Sequence, residues 1–406
     1  MTEITKLNNG LTLITEQVDN FETVVIELWV KTGSRFEQIG EEGMCHFIEH
    51  MCFQGTAKRS HSDISEAFDD VGGYFNAGTS REHTVFTVKV LAEDVEMALD
   101  VLSDVIINSA MNSKSIEKEK KVIEQEISQS DDNPDDAVFE NFMTTAFCGD
   151  NLGKPILGSV KSINSFNQEN LLAFYKKHYN ASNIVMAVAG KIEPIHIQKI
   201  VSEKFASLIA GHTNKIDRIV SFNSEKTYVT RANLQQAHVV LGFEGLSYSH
   251  KDYFLQEIAC NIFGGSASSR LFSEIREKRG LSYNVSSFTS SFVDCGIFGV
   301  AADVSMDKVA EFLQVVGDEL KKIAENLSDK ELERVRHQVK AAYLISKESI
   351  INRTSRLANN YIRHGRIVDT QEIVNKYLSY QKADVQDYFI KLVNQKDNYA
   401  LSVLRD

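Results

Sequence analysis

His46, Glu49 and His50 fall within the five residues His46-Phe47-Ile48-Glu49-His50. On a helix, residues four apart share one face, so both imidazoles can reach a single zinc ion. Glu49 stays close to that face. A carboxylate so placed can take a proton from a water that zinc has acidified, without being a ligand itself. The chemistry such a set suits is metal-assisted hydrolysis.

A catalytic zinc commonly has three protein ligands and keeps one position open. The third ligand must therefore come from another element. Residues 115–129 read as a helix with Ile116, Ile123 and Ile127 as its apolar stripe. Glu119 and Glu126, seven apart, flank the stripe on the side of Val122; Glu117 and Glu124, also seven apart, flank the other side. Helical geometry does not choose firmly between the pairs, and Val122 tilts the reading toward Glu119 and Glu126. A solvated charged helix is the commoner fate of such a run. Cys45 and Cys52 flank the histidines, but their spacing matches no thiolate zinc pattern.

The elements that must hold these residues repeat along the chain. In the first half, a helix through Ile64-Ser65-Glu66-Ala67-Phe68 runs into Gly72-Gly73-Tyr74-Phe75-Asn76. In the second, Leu271-Phe272-Ser273-Glu274-Ile275-Arg276 runs into Gly280-Leu281-Ser282-Tyr283-Asn284. Strand-like stretches follow at 84–91 and 296–304, then helical patterns at 94–107 and 306–323. Two copies imply duplicated domains rather than a solenoid. The expected division is 1–212 and 226–406, with 213–225 as a polar linker. Strands and helices do not alternate singly, so the fold class is α+β: two homologous domains, each a mostly antiparallel sheet with helices packed on one face.

Composition narrows the function classes. The 406 residues are 43% hydrophobic and 25% charged, as in ordinary globular proteins. A net charge of −12 disfavours nucleic acid and anionic membranes as partners. No apolar run reaches the length of a membrane span. Met1-Thr2-Glu3-Ile4 carries neither a basic n-region nor an apolar h-region. The expected location is therefore the cytoplasm of a bacterium. Five scattered cysteines, an odd number, fit free thiols in a reducing compartment.

With His46, Glu49 and His50, then Glu126 seventy-six residues after His50 and Glu119 seven before it, the chain resembles the inverzincin zinc peptidases. That family includes pitrilysin, insulin-degrading enzyme and mitochondrial processing peptidase. Gly33-Ser34-Arg35-Phe36-Glu37 and Gly43-Met44-Cys45 are similar to family sequence too, and the length suits half-size members. The resemblance implies one zinc per chain, held by His46, His50 and Glu126, with Glu49 as general base and Glu119 as a supporting group. It implies a peptide substrate laid along an edge strand at Asn76 and Ala77. Arg276 and Tyr283, seven apart, match a pair that contacts substrate from the second domain, with the Tyr hydroxyl donating to the oxyanion. Asp136 and Glu140 stand at the offsets where processing peptidases read a substrate arginine; a solvated acidic loop is an equal reading. The expected activity is zinc-dependent endopeptidase action on short or unfolded peptides, basic presequence-like ones included, by a homodimer. The alternative is a non-catalytic or partner-dependent subunit of a heteromeric complex with the same fold.

Overall fold

A computed structural model describes residues 2–216, 220–395 and 397–406. Residues 217–219 of the expected linker lie outside the described residues. The chain divides into two compact units: Met1–Gln129, Lys154–Lys215 and Ser346–Ile367 in one, Ser130–Gly153, Ile216–Ile345 and Val368–Asp406 in the other. Each is described by itself.

The first unit is built on strands β1 (Thr2–Lys6), β2 (Thr12–Gln17), β3 (Thr23–Val30), β4 (Tyr74–Thr79), β5 (Thr84–Leu91) and β6 (Ile184–Gly190), in the order β1-β2-β6-β3-β5-β4. The second uses β7 (Lys226–Thr230), β8 (Ala237–Gly245), β9 (Ser282–Ser291), β10 (Gly296–Val304) and β11 (Ala400–Arg405), in the order β7-β11-β8-β10-β9. In each sheet one pair is parallel, β2 with β6 and β11 with β7, and the other pairs are antiparallel. Strand for strand, β2-β6-β3-β5-β4 and β7-β11-β8-β10-β9 are the same design, so the repeat read from the sequence is a repeat of topology.

The helices are α1 (Met44–Phe53), α2 (His61–Asp69), α3 (Val95–Asn108), α4 (Ser113–Asp132), α5 (Pro134–Ala146), α6 (Val160–Ser165), α7 (Gln168–His178), α8 (Pro194–Lys204), α9 (Tyr253–Gly264), α10 (Val309–Asn326), α11 (Asp329–Ser346), α12 (Ile350–His364), α13 (Thr370–Ser379) and α14 (Lys382–Asn394). Most of those in the first unit lie on one face of its sheet. Strand alternation shows which face. Val24, Ile26, Leu28 and Val30 of β3 join the main core with Phe47, Ile48, Leu99 and Leu102. Val25 points the other way, into a smaller cluster with Ile14, Val185, Ala187, Ala189 and the α12 residues Ile350, Leu357 and Ala358.

The second unit mirrors this. Val239, Leu241 and Phe243 of β8 enter the main core, while Val240 packs with Val138, Phe142 and Ala146 of α5. Each sheet thus has its second face covered by one helix drawn from the other half of the chain. The compact units cut across the halves expected at 1–212 and 226–406: α5 belongs to the second unit and α12 to the first.

Candidate metal and peptide site

Helix α1 starts at Gly43, whose φ of 90° is left-handed. A Cβ there would stand 2.6 Å from the Leu157 carbonyl oxygen, so only glycine fits. From Met44 to Cys52 all residues are buried except His46 and His50, which are half-buried on the one face left open. The apolar sequence sinks the rest of the helix and so fixes where the two imidazoles point.

Helix α4 answers the choice between glutamate pairs. Glu119 is buried at 3% exposure and its Oε2 lies 3.1 Å from His50 Nδ1. Glu126 Oε2 lies 3.7 Å from His46 Nε2 and 3.6 Å from His50 Nε2. Glu117 instead pairs with Lys120, and Glu124 accepts from the Asn164 side chain at the surface. The inward pair is Glu119 and Glu126.

The donors suit zinc. Bonds of about 2.1 Å in a tetrahedron put donor atoms about 3.4 Å apart, close to the two observed separations. Because Glu119 holds His50 Nδ1, His50 Nε2 is the nitrogen free to face the convergence point. Burial, aided by the His50 charge, lowers the His46 pKa to about 3, which leaves its lone pair available at neutral pH. At His50 burial opposes the charged form, but Glu119, Glu126 and Glu49 outweigh it and raise the pKa. Two imidazoles facing three carboxylates form a pocket of negative charge that a divalent cation would balance.

Glu49 is 8% exposed. Burial raises its pKa against a hydrogen bond from Thr79 Oγ1, 2.5 Å from Glu49 Oε2. Sequence reasoning missed Thr79. The available signal was the alternation of β4, which turns Phe75, Ala77 and Thr79 toward α1 and Tyr74, Asn76 and Gly78 away. Asn76 accordingly lies on the exposed face: its Oδ1 accepts from the Ala77 N–H and its Nδ2 donates to the Tyr74 hydroxyl. Among the described strands β4 is the edge of its sheet and pairs only with β5, leaving one row of backbone groups outward. Cys45 and Cys52 are free, fully buried thiols whose pKa values burial pushes up; neither enters the donor cluster.

In the second unit, Asp136, Glu140, Arg276 and Tyr283 line one cavity of about 650 Å³. Arg276 does not ride on an ordinary helix: Phe272–Lys278 is a π-helix, a form that recurs at functional sites. Its guanidinium stacks 4.0 Å from the Tyr283 ring and 4.7 Å from the Phe272 ring. Tyr283 is 71% exposed, unusual for so large a ring. Asp135, His238 and Asp303 also meet in this cavity. Both carboxylates there engage the same His238 nitrogen, at 2.9 and 2.8 Å. A proton on that nitrogen accounts for the contact without a metal.

Residues 12–160 match the family model "Insulinase (Peptidase family M16)" and residues 165–339 the model "Peptidase M16 inactive domain". An "uncharacterized zinc protease" of Rickettsia bellii is 38% identical over 94% of this chain and 92% of its own. The Bacillus subtilis "uncharacterized zinc protease YmxG" is 36% identical over 91% and 90%. Among solved structures, a protease from Helicobacter pylori superposes with a TM-score of 0.93 at 19% identity, covering 100% of this chain and 99% of that one. A chain of "Complex III2 from Candida albicans" follows at 0.85 and 20%, covering 99% and 95%. At such identities these two bear on the fold alone.

Proposed function

Because this chain belongs to the insulinase family, peptidase family M16, we propose that it is a zinc-dependent endopeptidase of short or unfolded peptides, basic presequence-like ones included. The observation that carries this reading is the convergence of His46 Nε2, His50 Nε2 and Glu126 Oε2 beside the buried carboxylate of Glu49. His46, His50 and Glu126 hold one zinc per chain. When bound, zinc supplies a Lewis acid that polarises the scissile carbonyl and acidifies water.

The chain's own residues do the rest. Glu49 takes the proton of the attacking water and returns it to the leaving amine. Thr79 holds the carboxylate oriented for that transfer, and Glu119 fixes His50. The free edge of β4 at Asn76 and Ala77 adds the peptide as a further strand through backbone hydrogen bonds. Tyr283 donates its hydroxyl to the developing oxyanion, with Arg276 stacked on its ring to place it. Asp136 and Glu140 receive a basic side chain of the substrate. The working form is a homodimer. Residues 165–339 match the model of an inactive domain, and the sequence after residue 225 carries no H-x-x-E-H.

The test is cleavage of a quenched basic peptide by the purified chain, alongside Glu49→Gln, with zinc content measured in both. The expected outcome is cleavage by the wild type and a loss of about 10²–10⁴-fold in the variant, the span of general acid–base catalysis, at equal zinc. Equal cleavage by both would remove Glu49 as the base. No cleavage by either would favour a partner-dependent or non-catalytic subunit.

A further inference from the structure

Glu49 and His50 each have a side chain that orients them, Thr79 and Glu119. His46 has none: its Nδ1 is buried without a hydrogen-bond partner among the described residues. Besides the His50 ring, whose centroid lies 4.5 Å away, its direction depends on the backbone of the first turn of α1. That turn has no side-chain cap of its own, because its N-cap is Gly43. Helix starts leave N–H groups that need acceptors.

Glu37 supplies them from outside the helix. It is fully buried, at 0% exposure. Its Oε2 accepts from the Gly43 N–H at 3.0 Å and its Oε1 from the Cys45 N–H at 2.8 Å. One carboxyl thus spans the residues at and just inside the helix start, immediately before His46. Glu37 is itself anchored. The 3₁₀ turn Ser34–Phe36 just ahead of it bonds to the link between β4 and β5, Ser34 N–H to the Ser80 carbonyl at 3.2 Å and Arg35 N–H to the Arg81 carbonyl at 2.9 Å. The Arg35 guanidinium is held by Glu82 at 2.7 Å in a nearly buried ion pair. The same hairpin carries Thr79, so one piece of backbone references both Glu49 and His46.

We infer that Glu37 is the positioning residue for His46, acting through the first turn of α1 as Glu119 acts directly on His50. The inference rests on the zinc reading above. Glu37→Gln would set an amide NH₂ against a backbone N–H and release one end of the clamp. Glu37→Asp keeps the carboxyl but falls a methylene short of spanning both N–H groups.

The experiment measures zinc affinity by chelator competition for the full chain, with metal-free melting followed by circular dichroism. The expected result for Glu37→Gln is at least about tenfold weaker zinc binding, the range for groups behind a metal ligand, and a lesser loss for Glu37→Asp. An unchanged zinc affinity in a folded variant, even with a lower metal-free melting temperature, would overturn the inference, since a merely structural role moves only the melting. If Glu37→Gln does not fold, Glu37→Asp decides by the same criterion. A wild type that binds no zinc would overturn the zinc reading instead, and the Glu37 role with it.

Discussion

At the scale of single residues, the site is an arrangement of buried charge. Glu37, Glu49 and Glu119 are all within 8% of full burial, where an ionised carboxylate is costly unless its oxygens are met by donors or cations. Glu37 illustrates the balance. Burial raises its pKa from 4.5 to about 8, against the Cys45 and Gly43 N–H groups that lower it. A carboxyl whose pKa is higher folded than unfolded binds a proton on folding between those values. Its stabilising contribution is full below about pH 4.5 and is lost as pH rises through about 8. The wild type should therefore lose stability relative to Glu37→Gln across that window, by at most about 1.4 kcal/mol per pH unit, and run parallel to it above. Urea melts of both proteins at pH 5, 6.5 and 8.5 check this; parallel curves throughout would mean that Glu37 is ionised when folded.

At the scale of elements, two glycines in helical contexts should respond oppositely to alanine. Gly43 starts α1 at φ 90°, and its added Cβ would meet the Leu157 carbonyl oxygen at 2.6 Å. Gly43→Ala should cost about 1–3 kcal/mol as backbone strain and displace the turn before His46. Gly317 lies inside α10 with open space where a Cβ would go. Gly317→Ala should gain up to about 1 kcal/mol from helix propensity and leave zinc binding unchanged. Denaturant midpoints of the two variants test the pair together. A stabilised Gly43→Ala would show that the start of α1 relaxes more easily than its contacts indicate.

At the scale of the whole molecule, the exchange of helices ties the fate of each sheet to both halves of the sequence. Without α12, the face bearing Ile14, Val25, Val185, Ala187 and Ala189 loses its cover. Without the second half, α5 likewise keeps Val138, Phe142 and Ala146 with no sheet to bury them. Exposed apolar faces of this kind lead to aggregation. A fragment of residues 1–215 should be insoluble or molten when expressed alone, although it contains every proposed zinc donor. Sharp tertiary melting and zinc binding by that fragment would show that α12 is dispensable. Among the described residues no helix is long and apolar enough to cross a membrane.

What the sequence determined by itself was local or repeated. Helical spacing put His46, Glu49 and His50 on neighbouring positions of one turn, and the duplicated glycine-strand pattern announced two sheets of one design. The strand-like stretch at 84–91 is β5, whose inward side chains are buried along its length. Tertiary structure decided whatever depends on which surface meets which. Two glutamate pairs with the same spacing look alike on an isolated helix; packing buried Glu119 against His50 and left Glu117 and Glu124 outside. Neither Thr79 nor Glu37 shows its hydrogen-bond partner until α1 is laid beside it. The crossing of α5 and α12 was invisible for the same reason. An amphipathic helix shows in its sequence that it must be covered, and only the folded chain shows by what.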